Sequence, residues 1–174
     1  MKSNKNLVLL GMMGSGKSTI GKLIAKKLNL DFIDIDYLIE EQTGITILEL
    51  FKKKGEVYFR ILEEKISIKA LKSKNSVISL GGGGFINEKI RKEVLMNNIS
   101  IWLNLDSRDL IKRIKNSKKR PLAFNLNDSE LLDLINKRSK IYSKALFKIN
   151  CKMLDKKKIL KKISDLYKND QIKN

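Results

Sequence analysis

Gly11, Met12, Met13, Gly14, Ser15, Gly16, Lys17 and Ser18 spell G-x-x-x-x-G-K-S directly after the apolar run Leu7-Val8-Leu9-Leu10. Few folds accommodate that order. It requires a buried strand, then a tight glycine turn, then the start of a helix. Glycine lets the backbone close around an anion without Cβ clashes, and the N–H groups that open the helix then face it. Lys17 is placed to reach the β- and γ-phosphates of a nucleotide, and the Ser18 hydroxyl to sit on Mg²⁺. A glycine turn without a ligand accounts for Gly11 and Gly14 but not for the Lys17-Ser18 pair.

Downstream, short apolar runs alternate with helical patterns, which argues for a parallel sheet covered by helices on both faces. Strands are expected at residues 6–10, 31–34, 77–80, 100–103 and 148–150. Helices are expected from the glycine loop to about residue 28, then over 37–41, 45–53, 56–73, 88–96 and 108–115. The first should turn Ile20, Leu23, Ile24 and Leu28 to the core. Residues 117–126 are basic and hold Pro121, the only proline, which breaks regular structure. Asp128 is a candidate cap for the next helix, with Leu131, Leu132, Ile135 and Tyr142 inward. Ile159, Leu160, Ile163 and Leu166 mark a closing amphipathic helix.

The 174 residues suit one domain with a substantial core. No apolar run approaches the ~20 residues of a membrane span, and the polar start with its short apolar stretch does not read as a signal peptide. A cytoplasmic enzyme is the default expectation. One cysteine, Cys151, excludes an internal disulfide, and the absence of histidine excludes histidine catalysis and histidine metal ligation. The formal charge is +18, from 37 basic and 19 acidic residues. That excess fits either a nucleic-acid surface or the attraction of anionic substrates. The lysine runs carry no interleaved aromatic residues to stack bases, so solvated faces and substrate steering are the better reading.

Four further clusters bear on chemistry. Asp34 and Asp36 end the second expected strand; residues two apart on a strand share a side, so both can face its carboxyl end, where open α/β sheets bind ligands. Asp34 suits a metal held through water and Asp36 a hydroxyl proton, although two strand-end aspartates can also be mere caps. In the run Gly55-Glu56-Val57-Tyr58-Phe59-Arg60-Ile61-Leu62-Glu63, which spells G-E-x-x-F-R-x-x-E, Arg60 and Glu63 are three apart on a helix and share a face: a carboxylate-binding guanidinium with its orienting acid, or an ordinary surface ion pair. Val77-Ile78-Ser79-Leu80 runs into Gly81-Gly82-Gly83-Gly84, which lets backbone N–H groups approach an anion. Ser79 is the only polar side chain near the place where many phosphate-loop proteins carry an acidic metal ligand. Arg120-Pro121-Leu122 completes the set.

These motifs, in this order and spacing from the glycine loop to about Arg138, resemble the shikimate kinases of the P-loop, nucleoside-monophosphate-kinase-like group. The resemblance implies a three-layer α/β/α fold of P-loop kinase type. Its central parallel sheet has about five strands, with a mobile lid over about residues 115–126 and acceptor-binding helices over about 37–62. It implies phosphoryl transfer from ATP to the 3-hydroxyl of shikimate, with Mg²⁺, in aromatic amino-acid precursor synthesis. It assigns Gly14, Ser15, Gly16, Lys17, Ser18, Thr19 and Arg120 to ATP, and Ser18 to the metal, with Asp34 and Ser79 acting through water. It assigns Asp36, Arg60, Gly81, Gly82, Gly83 and Arg138 to shikimate, with Glu63 supporting Arg60. Lys17, Asp36 and Arg120 are the implied catalytic residues. The implied partners are small molecules only, with neither nucleic acid nor membrane, and the family usually acts as a monomer. Adenine contacts are expected near residues 150–155. The chain departs from the family after Arg138, where Tyr142 is followed by Ser143-Lys144 rather than by an acid. A gluconate kinase, a nucleic-acid-dependent NTPase and a binding protein without turnover are the competing readings.

Overall fold

A computed structural model describes residues 5–116 and 126–173. Residues 117–125, Arg120 among them and most of the expected lid, lie outside the described residues. The described elements are β1 (Leu7–Leu10), α1 (Lys17–Leu28), β2 (Asp31–Asp34), α2 (Ile35–Thr43) and α3 (Ile47–Leu71). Then come β3 (Ser76–Ser79), a 3₁₀ turn (Gly84–Ile86), α4 (Glu88–Asn97), β4 (Ile99–Asn104), α5 (Ser107–Lys115), α6 (Asp128–Tyr142), β5 (Phe147–Asn150) and α7 (Lys156–Lys173). The five strands form one sheet in the order β2-β3-β1-β4-β5, every pair parallel. β1 and β3 are buried along their whole length, as strands covered on both faces must be. β1 is central, with β3 and β4 on opposite sides, so the chain reverses its direction of winding there and opens a crevice at the strands' carboxyl ends.

The opposite edge is tied by one residue. Buried Asn6 donates through Nδ2 to Leu71 O, Ser73 O and Asn98 Oδ1, and its Oδ1 accepts from Ser76 N. One amide thus joins the entrance of β1 to the end of α3, the start of β3 and the end of α4.

Four expectations change. Asp36 is not on a strand: β2 stops at Asp34, whose Oδ1 accepts from the N–H groups of Asp36 and Tyr37 and caps α2. The two helices expected over 45–53 and 56–73 form one element broken only at Gly55, where φ 79° and ψ 172° leave helical space. Asn127, not Asp128, caps α6, in a reciprocal capping box with Glu130. Leu23 and Leu132 are exposed, at 41% and 39%. In α1 the buried arc centres on Ile20, Ile24 and Ala25, and Leu23 falls outside it. Among the described residues no helix is long and apolar enough to cross a membrane.

Candidate active site

The carboxyl ends of β1, β3 and β2 carry the glycine loop, the Gly81–Gly84 turn and the start of α2. Two clefts open there. The first, about 770 Å³, is lined by Gly14, Gly16, Lys17, Ser18, Thr19, Asp36 and Ser79. Gly16 precedes α1 without a side-chain cap, and no acid stands in the first turn, so the helix-opening N–H groups remain available to an anion. Ser15 Oγ is buried with no hydrogen-bond partner among the described residues. An orphaned donor in such a loop is what a phosphate oxygen would satisfy. Lys17 is buried at 8%, and its Nζ donates to Gly11 O at 2.8 Å and Met12 O at 3.0 Å. Arg113 of α5 lines the same cleft and donates to Gly14 O at 3.2 Å. Sequence reasoning missed it, because nothing but its guanidinium set it apart from the neighbouring lysines.

The second cleft, about 410 Å³, has Asp36, Arg60, Glu63, Gly82, Gly83 and Arg138 on its walls, with Met13, Ile47, Phe51 and Phe59. It straddles the Gly55 break: Ile47 and Phe51 precede it, while Phe59, Arg60 and Glu63 follow it. The Phe51 and Phe59 rings meet at 4.7 Å and make an apolar wall. Glu63 is 2% exposed, so its bond from Arg60 Nη1, at 2.6 Å, is no ordinary surface pair. Burial raises the Glu63 pKa, with Asp36 adding to the rise, while Arg60 and Arg138 pull it back. Burial opposes the Arg60 charge, but Glu63 and Glu56 more than offset it, and the Arg60 pKa is raised.

Arg138 is not a solvated helix residue either. Leu131, Ile135, Arg138 and Tyr142 fall on one face of α6, and the other three are buried. Arg138 Nη1 lies 3.4 Å from Gly82 O and 3.7 Å from Met12 Sδ. The Tyr142 hydroxyl donates to the same Gly82 carbonyl. Burial pushes the Tyr142 pKa up to about 12, so it stays a donor through the neutral range. The altered segment after Arg138 therefore still ends on a residue that grips the glycine turn. Replacing Tyr142 with phenylalanine is expected to lower stability by about 1–2 kcal/mol in denaturant titrations. The raised phenol pKa contributes stability that is complete below pH ~10 and lost as the pH climbs through about 12.

The glycine turn is close to both carboxylates. A Cβ on Gly81 would stand 2.6 Å from Glu63 Oε1 and 2.8 Å from Asp36 Oδ1, and one on Gly83 would collide with the Arg60 guanidinium. Gly81→Ala is expected to cut kcat/KM at least about tenfold, because both carboxylates must move. Steady-state kinetics beside an unchanged circular dichroism spectrum check it. At the expected adenine segment, Cys151 is buried, and burial raises its thiol pKa, so it is no nucleophile.

A phosphate loop on the central strand of a parallel sheet, beside a second cleft that shares Asp36 with it, is the arrangement of a P-loop phosphotransferase. The comparisons narrow this. The family model for shikimate kinase matches residues 13–168, and the chain belongs to that family. It is 46% identical to the shikimate kinase of Bartonella henselae over 84% of this chain and 70% of that one. It is 44% identical to the shikimate kinase of Persephonella marina, covering 84% and 88% of the two chains. Its structure superposes on that of an Acinetobacter baumannii shikimate kinase in complex with shikimate with TM-score 0.91 at 30% identity, covering 97% and 96%.

Proposed function

We propose that the two clefts hold the two substrates of one reaction and meet at Asp36, the reacting centre. The activity is ATP-dependent phosphorylation of shikimate, in aromatic biosynthesis. The observation that supports the site map is that Asp36 lines both the phosphate-loop cleft and the acceptor cleft.

In this reading the loop N–H groups, Ser15, Lys17, Ser18 and Thr19 bind the ATP phosphates. Arg60 and Arg138 hold the acceptor carboxylate from two helices, α3 and α6. The Gly81–Gly83 turn lets the acceptor ring lie against backbone. Asp36, in the first turn of α2, aligns the 3-hydroxyl and takes its proton as the bond to phosphorus forms. Lys17 offsets charge spreading over the transferred phosphoryl oxygens; Arg120, the second cation expected there, lies outside the described residues.

The residues fit Mg²⁺. Among the described residues no three acidic or thiol groups gather to cage a metal. Mg²⁺ does not need such a cage; it takes one or two protein oxygens together with substrate phosphates and water. Ser18 and Ser79 line the phosphate cleft, and Ser79 pairs in register with Asp34. Ser18 would hold the ion directly and Asp34 and Ser79 through water; bound there, it would neutralise phosphate charge. The same reading takes the protein to act as a monomer on small molecules, without specific nucleic acid.

ADP release from Mg-ATP tests this in the presence of shikimate, gluconate or duplex DNA at two salt concentrations. Stimulation by shikimate alone is expected. Stimulation by gluconate or DNA instead would overturn the acceptor cleft while leaving the phosphate loop.

A further inference from the structure

Glu56, Arg60 and Glu63 are spaced i, i+4, i+7 and form one stripe on α3, but the two acids do different things. Glu63 is buried and lines the acceptor cleft. Glu56 is half exposed and lines a neighbouring, outer cleft, together with Asn87 and Lys137. Arg60 and Gly83 stand between the two clefts and line both.

We propose that Glu56 is a positioning residue that turns Arg60 end-on to the acceptor and so sets the preference for a carboxylate-bearing substrate. The proposal rests on the reading of Arg60 as a carboxylate clamp. A guanidinium carries five N–H groups in a rigid fork and can meet a carboxylate by its side edge, Nε with one Nη, or by its end edge. In this protein the side edge is taken. One oxygen, Glu56 Oε1, accepts from Nε at 3.2 Å and from Nη2 at 3.1 Å. Glu63 Oε2 accepts from Nη1. Three of the five N–H groups are thereby spent, leaving one on each terminal nitrogen. Those terminal nitrogens are the atoms that crowd Gly83 on the cleft wall. Glu56 therefore holds the side edge from the outer cleft, and one N–H on each terminal nitrogen is left for a substrate.

The backbone explains why an acid stands there. Glu56 is the first residue after the Gly55 break and so opens the second helical half of α3. A carboxylate is favoured at a helix start. No atom lies within 4 Å of a Cβ placed on Gly55, so the glycine serves its positive φ and not a lack of space. An ordinary exposed i,i+4 pair would contribute little, and to stability alone. Holding a fork by one edge acts instead on the direction of the other.

The test uses the full chain and measures KM for shikimate, KM for ATP and kcat in Glu56→Ala, Glu56→Gln, Arg60→Ala and the Glu56→Ala/Arg60→Ala double variant. Glu56→Ala is expected to raise the shikimate KM about tenfold, with the ATP KM within about twofold and kcat within about threefold. Glu56→Gln is expected to restore most of the loss, because both bonds converge on one oxygen that an amide also supplies. In the Arg60→Ala background, Glu56→Ala is expected to add nothing. The kcat/KM ratio of shikimate over its uncharged methyl ester is expected to fall in Glu56→Ala. An unchanged shikimate KM in Glu56→Ala, or an equal loss for both substrates, overturns the proposal. So does a full effect persisting without Arg60. If Arg60→Ala itself leaves the shikimate KM untouched, the carboxylate clamp fails; if it raises the KM while Glu56→Ala does not, only the role of Glu56 fails.

Discussion

Replacing Lys17 with alanine is expected to lower kcat by about three orders of magnitude while the protein stays folded. The size follows from what the ammonium does. Phosphoryl transfer builds negative charge on oxygens that the protein must meet with fixed donors, and loss of one such donor in a dry site commonly costs about 10²–10³ in rate. Lys17 sits at the start of α1, on the loop that leaves the central strand, and is almost wholly buried. Its hydrogen bonds to Gly11 O and Met12 O also brace the loop. Their loss should lower stability by about 1–3 kcal/mol, visible as a modest drop in Tm. Lys17→Met keeps the stem and discards the charge, so equal losses in both variants assign the effect to the ammonium. Single-turnover kinetics at saturating ATP separate chemistry from binding. A kcat within tenfold of the parent would overturn the assignment.

Arg60→Ala should act on the other substrate and on stability together. The shikimate KM is expected to rise about a hundredfold, with ATP affinity nearly unchanged, as expected when one partner of a charge-assisted pair is removed. The same change leaves Glu63 buried without its main counter-charge, a loss of about 3 kcal/mol for a broken buried pair whose arginine is partly wet. The pH dependence has a defined sign. The Glu63 pKa is already raised by burial, and Arg60 is what chiefly holds it down. Without Arg60 it rises further. A group whose folded pKa is raised contributes stability that is complete below its unfolded value, near 4.5, and that is lost as pH climbs through the folded value. The variant should therefore be most stable at mildly acid pH and weaken toward neutrality. Adding Glu63→Gln should flatten that profile. Chemical denaturation from pH 4 to 8 measures it, and a variant that gained stability toward neutral pH would contradict the burial of Glu63.

Most of the fold was legible, because a strand covered on both faces leaves an uninterrupted apolar run. Leu7–Leu10 and Val77-Ile78 are such runs, and the helices between them are long enough to show their period. Asp36 was assigned correctly to the carboxyl end of the sheet for the wrong reason. β2 is only four residues long, and the cap made by Asp34 turns the chain into a helix one residue later. Arg60 and Arg138 were legible as residues but not as surfaces. Whether Arg60 and Arg138 face water or a cleft depends on what packs across from them. The 131/135/138/142 spacing carried that information for Arg138 once the cap of α6 was placed at Asn127. Arg113 was out of reach, and Glu56 was legible only as a member of the Gly55–Glu63 run, because their roles come from contacts with another element or from one edge of a neighbouring side chain. Arg120 rests on the sequence alone.

The amide of Asn6 gives the molecule a separation of concerns. Everything it ties lies where strands enter the sheet, and both clefts open where they leave it. Drift at the exits, such as new side chains on α3 or α6 or a longer turn after β3, leaves that knot intact. Side chains at the exits can change at a cost confined to their own contacts, while the register of the strands stays tied at the entrances.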